Sequence, residues 1–188
     1  MTEDELFDGL RAYLVRTDAE QAIINPSHDP LEDIVADHQS APRLKGAHAV
    51  INLVGERVLL ETLCISYEAM TVGAAPRVIE ATARAKEWRF TVDVFASRGL
   101  DFAGPMINAL QSAHASVDLH PAMVRHVSEP RRVPRMVESQ WEGRVQFDVD
   151  LAGIVVDRLL IDVIESGTVQ FHDAAAERLF ATLHFQKG

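Results

Sequence analysis

The chain has one cysteine, Cys64, in 188 residues, which excludes an internal disulfide framework and a cysteine-based zinc cluster. Aromatic residues make up only 6%, and 18 bases face 28 acids for a net charge of −10. That acid surplus argues against a general nucleic-acid binder, which carries a basic excess. No apolar run approaches the roughly 20 residues of a membrane-spanning helix. The opening MTEDELFDGL is acidic where a signal peptide needs a basic end followed by an apolar stretch. The expectation is a soluble chain, cytoplasmic at synthesis. A Gly-x-Ser-x-Gly nucleophile elbow is missing, and Gly99 and Gly104 stand alone where a phosphate-binding loop needs several glycines. The sequence therefore offers no catalytic residue and implies no cofactor.

What is present suits one globular domain: 47% hydrophobic and 24% charged residues. The acidity is concentrated at the two ends, residues 1–40 and 141–188, while the middle is near balance. Eight histidines invite a metal reading. His28 with Asp29, Glu32 and Asp33 could supply ligands, but the two-histidine helical spacing of a zinc hydrolase is missing. His120 and His126 flank a segment without predictable geometry. Ordinary surface or half-buried histidines are the better reading, and no metal site is assigned. Cys64 sits in an apolar, strand-like stretch and reads as a buried structural thiol.

Periodicity predicts the elements. Thr2 and Glu5 have capping-box spacing, Glu3 to Glu5 suit a helix N-terminus, and Leu6, Leu10, Tyr13 and Leu14 form one apolar stripe. A helix ending near Thr17, with Arg16 in its last turn, follows. Residues 18–46 read as a long loop, with LEDIVADH able to make two helical turns. Residues 47–96 read as a long antiparallel hairpin with its tip in Ala69–Pro76. Its limbs exceed ordinary strands, so part of it is expected to reach beyond the core as an arm. In the return limb Trp88, Phe90, Val92, Val94 and Ala96 alternate with Arg89, Thr91 and Asp93. A second helix starts near Asp101, with Pro105 in its first turn and Ala103, Met106, Ile107, Leu110 and Ala113 on its apolar face. A strand is expected at Val124–Val127. The two prolines of EPRRVPR argue against regular structure there. Trp141, Gly143, Val145, Phe147, Val149 and Leu151 then alternate with Glu142, Arg144, Gln146, Asp148 and Asp150, one face buried and the other wet or pore-facing. Residues 159–171 are a further extended piece, and residues 172–188 a docking helix or tail. The fold class is α/β of the α+β kind: a mainly antiparallel sheet with a long hairpin, flanked by an N-terminal and a central helix, within a single domain over 1–171.

Arg125, Arg131, Arg132 and Arg135 cluster around two stiffening prolines. They can pair with local acids such as Glu129 and Glu138, or offer bidentate contacts to carboxylates on a neighbouring subunit. With Trp141 and Arg144 they are the candidate subunit-interface residues. Trp141 also fits a core position.

The segments KEWRFTVDVFASRGLDFAGPMINAL, VRHVSEPRRVP and ESQWEGRVQFDVDL, in that order, resemble tailed-phage neck and tail-terminator proteins. The opening LFDGLRAYL and AHAVINLVG resemble the same family, so the likeness runs over most of the chain. Residues 18–46 look longer than the pattern needs, and 172–188 have no counterpart in it. The resemblance implies a structural virion protein of the tail and neck, assembled in the host cytoplasm. It implies a homo-oligomeric ring, typically of six, that caps the tail tube, stops its growth and offers a head-joining surface. Tail tube protein, a head connector or stopper, and sheath protein are the partners it brings. DNA would pass through the ring without specific binding. A ring of copies each at −10 would repel the DNA backbone, and Asp148 and Asp150 are the lumen-facing candidates. Another connector or tail adaptor ring is the alternative within the class. A small immunity or inhibitor protein, or a small α/β enzyme, is the alternative outside it.

Overall fold

A computed structural model describes residues 2–36, 46–72, 75–133, 135–137, 140–162, 166–173 and 178–186. The elements run α1 (Glu3–Ile24), β1 (Asp33–Ala36), β2 (His48–Val72), β3 (Ala75–Phe95), α2 (Gly99–Leu110), α3 (Ala113–Asp118), β4 (Met123–Val127), β5 (Arg131–Arg132), β6 (Arg135–Val137), β7 (Gln140–Glu142), β8 (Arg144–Asp162), β9 (Ser166–Asp173) and β10 (Arg178–Gln186). The chain divides into two compact units, residues 1–64 with 83–156, and residues 65–82 with 157–188. This is a different division from an expected break after residue 171.

The sheet of six strands has the order β1-β2-β3-β8-β4, with β5 also on β8. β1 and β2 are parallel, whereas β4 and β5 run antiparallel to β8. Two residues separate β2 from β3, too few for the crossover a parallel pair requires, so the two form the long hairpin. The expected tip falls partly on residues 73 and 74, outside the described residues.

In the first unit the apolar face of the sheet packs with the helices. Trp88, Phe90, Val92 and Val94 of β3 and Val145, Phe147, Val149 and Leu151 of β8 are buried with Leu6, Leu10, Tyr13 and Leu14 of α1. Ala103, Met106, Ile107 and Leu110 of α2 complete this core. The Tyr13 hydroxyl donates to the Ala109 carbonyl at 2.8 Å, tying α1 to α2. The Thr2–Glu5 capping box forms as the spacing predicts.

Several elements depart from expectation. Helix α1 continues past Thr17 to Ile24 because Asp18, on its next turn, is held from outside the helix: it accepts from the Leu31 amide at 2.7 Å and pairs with His28 at 2.8 Å. Arg16 therefore sits mid-helix and pairs with Asp118 and Glu20. The segment expected to make helical turns contains β1, whose Ile34 is buried and whose four residues each pair with β2. Helix α2 begins at Gly99, two residues earlier than expected, which places Pro105 beyond the first turn. It stops at Leu110, so Ala113 opens α3 instead of extending the stripe. The EPRRVPR run does hold strands: the pair 131–132 lies between the positions of Pro130 and Pro134, so neither ring has to sit inside it. Residues 178–186 are strand β10, antiparallel to β9 from Arg178 opposite Asp173 to Gln186 opposite Ser166. A helix there is replaced by this pairing within the second unit. Cys64 is exposed, not buried, on a stretch of β2 whose residues 54–61 are exposed as well.

The expected strand from Trp141 is interrupted at Gly143, where the backbone packs closely against Ala96. A Cβ there would lie 2.9 Å from the Ala96 carbonyl oxygen, a backbone atom with little freedom to retreat. Gly143→Ala is accordingly expected to cost about 1–3 kcal/mol, the usual range for overpacking. Urea unfolding of the two proteins would measure it.

Candidate functional site: an arginine–carboxylate ladder

The strands that bury one face also build the site on the other. Arg89, Thr91 and Asp93 alternate out of the core on β3, and Arg144, Gln146, Asp148 and Asp150 do the same on β8. The partners then meet in reverse order. Arg89 donates through Nε and Nη2 to the two oxygens of Asp150, at 2.7 and 2.9 Å. The Thr91 hydroxyl donates to Asp148 Oδ1 at 2.9 Å. Arg144 donates to both oxygens of Asp93, at 2.8 and 2.6 Å, and Gln146 adds a bond to the same carboxylate at 3.0 Å.

Neighbouring strands extend the ladder. Arg131 of β5 reaches Gln146 at 2.9 Å and Asp148 at 3.2 Å. Glu87 of β3 receives Arg57 of β2 at 2.7 Å and Arg125 of β4 at 3.2 Å. Arg125 gets there through an irregularity in β4: the register with β8 shifts between Val124 and His126. The extra residue lets Val124 and Val127 both pack toward the core while Arg125 and His126 are both exposed. Glu87, Asp93 and Asp150 are buried; Arg57, Arg125 and Arg89 lie over Glu87 and Asp150 with much of their own surface in solvent, whereas Arg144 on Asp93 is itself largely covered. Arg57, Arg89, Arg125 and Arg131 form the outer layer of this face.

The electrostatics follow the geometry. The two-pronged hydrogen bond from Arg89 holds the Asp150 carboxyl below the usual aspartate range, outweighing the opposing effect of burial. The same contact raises the already high pKa of Arg89. Asp150 therefore adds stability above the ordinary aspartate value of about 4, and that contribution fades as pH falls through its lowered native value. Asp150→Asn is expected to be less stable than the parent at neutral pH and to show a flatter acid limb below about pH 4. Thermal unfolding across a pH series checks both.

Residues 4–175 match the family described as phage neck terminator protein. The chain belongs to that family. The phage neck terminator family is one of structural tail-terminator proteins, so the role of this chain is that of a structural terminator in the virion tail and neck. The matched span runs through residues 18–46 and stops at 175. No curated protein matches the sequence. Among solved structures, the chain is similar to the sheath/tube terminator of an extracellular contractile injection system (PVC) in its extended state. The TM-score is 0.45 with 12% identity, covering 94% of this chain and 65% of that one.

In this neck terminator the sequence-predicted site residues separate into four groups. Arg125, Arg131 and Arg144 are bound to Glu87, Asp148 and Asp93 of their own subunit, partners other than the Glu129 and Glu138 suggested by proximity in sequence. Arg132 is exposed, makes no ion pair among the described residues, and lines a cleft with Arg98, Asp101 and Gly143 at the start of α2. Arg135 and Trp141 lie on the paired strands β6 and β7, opposite Glu142 and Met136, and their side chains lie outside the described part. Asp148 and Asp150 lie on the predicted polar face, yet each is covered by an arginine and neither presents a bare charge. Sequence reasoning missed Glu87 and Asp93 as partners. The signal was available: writing the polar faces of β3 and β8 in opposite directions sets Arg89 against Asp150 and Asp93 against Arg144.

Proposed function

We propose that this chain acts mechanically, as a ring of identical subunits, six in number, that closes the neck end of the tail tube. Seated on the last tube ring, it stops further addition of tube protein and offers the surface to which the head connector joins. Sheath protein, where a sheath is present, would meet the same subunits from outside. The family match over residues 4–175 carries this reading. A non-enzymatic role is supported by the way polar groups are used. Thr17, Asp18, His48, Glu87, Thr91, Asp93 and Asp150, the buried polar residues among those described, are each bonded within the subunit. None of them is left facing a substrate.

The ladder face, with Asp148 and Asp150, is the one we assign to the lumen. Five arginines over four carboxylates leave that face close to neutral, so a passing DNA backbone finds neither a strong anchor nor a strong barrier. Subunit contact through the arginine loop falls to Arg132, together with Arg135 and Trp141, because the other guanidiniums are engaged inside the subunit.

The test mixes the purified chain with tube protein and images the product by negative stain. Tubes of limited length, each ending in a ring, are expected. Open-ended growth with bare tube ends would refute the reading. Arg132→Glu should leave the melting transition within about 0.5 kcal/mol of the parent, as an exposed site without an ion pair among the described residues implies. It should also reduce ring formation, measured by light scattering after size exclusion.

A further inference from the structure

Among the described residues, the first unit carries two sheet edges without a partner strand. The register of β1 on β2 ends with Ala36 opposite Ile51, and among the described residues nothing pairs with that edge of β2 farther along. On the other side of β3, the register of β4 on β8 ends with Met123 opposite Ala152, and among the described residues nothing pairs with the outer edge of β8 beyond it. Val54, Val58, Leu59 and Leu60 of β2 and Ile154 and Val156 of β8 each expose between 40% and 61% of their surface. Successive strand residues point to opposite faces, so exposure at Val58, Leu59 and Leu60 together means that both faces are open.

A folded protein that works alone blocks such an edge with charge, proline or a bulge. Here residues 153–156 read Gly-Ile-Val-Val, and the two charges within Val54–Leu60 are paired inside the subunit, Glu56 with Lys86 and Arg57 with Glu87. We propose that the β2 edge of one copy of this chain seats against the β8 edge of the next copy. The occupant is a second copy because the two edges match in chemistry, both presenting exposed aliphatic side chains without a partner strand among the described residues, and lie on opposite sides of β3. Two different surfaces meeting head to tail make a heterologous contact, which closes into a ring when its rotation allows. The area points the same way. A few half-exposed aliphatic residues per edge fall well short of the roughly 800 Å² per partner of a stable pair. A closed ring, holding every copy twice, is then favoured over an isolated dimer. This inference rests on the terminator reading and names the surface that reading needs.

Disulfide trapping tests it in a full-length Cys64→Ser background, which removes the exposed native thiol. Val58→Cys or Leu60→Cys is combined with Ile154→Cys or Val156→Cys, and the proteins are oxidised with tube protein present. At least one double variant should give a ladder of dimers, trimers and higher multiples on a non-reducing gel, and each single variant should stay monomeric. Dimers from a single variant would mean like surfaces meeting, and monomers from every double variant would mean no edge contact. Either result overturns the proposal. Val58→Lys with Leu60→Lys should keep the parent's melting transition and lose assembly, while unchanged assembly also overturns it. The tube-length assay run alongside separates the two ideas. Capped tubes without a ladder would remove the edge contact alone, and a ladder without capping would remove the terminator reading.

Discussion

Arg144→Ala is expected to weaken the folded subunit by about 3–5 kcal/mol, because it strands a buried charge. Its partner Asp93 is 3% exposed and receives two hydrogen bonds from the guanidinium. Truncation removes both, together with the guanidinium's position over the Phe95 ring at 5.6 Å. Gln146 keeps its one bond to Asp93, which softens the loss without neutralising the charge. Urea denaturation should show a lowered midpoint with an unchanged slope. Replacing both partners, as Arg144→Met with Asp93→Asn, should recover much of the loss, since no buried charge is then unpaired. The same variants separate a structural from an interface role. A destabilised Arg144→Ala protein, kept at a temperature where it is folded, should still assemble. Failure to assemble while fully folded would return Arg144 to the subunit contact.

Strict alternation made the sheet core legible in the sequence. From Trp88 to Val94 and from Val145 to Leu151, every second residue joins the apolar core, as the pattern requires, while Thr91, Asp93 and Asp150 of the polar face are buried beneath their own hydrogen-bond partners. The stripe of Leu6, Leu10, Tyr13 and Leu14 was equally readable, because these four positions share one face of a helix but not one face of a strand. What could not be read was decided by contacts distant in the chain. The end of α1 depends on His28 and Leu31 meeting Asp18, and local propensity around Thr17 carries no trace of that. Asp33–Ala36 is too short to declare itself a strand, and becomes one only because β2 offers an edge. Residues 178–186 carry leucine, phenylalanine and threonine that suit a strand, but the alanine run before them suggests helix, and pairing with β9 decides between the two. At the site, the arginines stood out while their partners did not. Charge counting along the chain pairs neighbours, whereas Arg131 finds Asp148 and Arg125 finds Glu87 across strands.

Phe147→Ala should cost about 3–5 kcal/mol, a loss as large as the one expected of Arg144→Ala but with a different origin. Phe147 is fully buried on β8, among the largest fully buried side chains together with Phe90. Removing its ring loses the transfer free energy of the apolar atoms and leaves a cavity that the neighbouring strands cannot collapse into without breaking their ladder. The ladder on the opposite face makes collapse harder still. Asp148 follows Phe147 directly and is held by Thr91 and Arg131, so the backbone at this point is pinned from the polar side. A loss toward the upper end of the range is therefore expected, read as a lowered denaturation midpoint. Val58→Ala, on the same sheet, should change the isolated subunit by less than about 0.5 kcal/mol, because Val58 is exposed within it. Its effect should appear in assembly. Equal losses at Phe147 and Val58 in the isolated subunit would mean that the β2 edge is already covered within one copy, and the distinction between core and contact surface would fail.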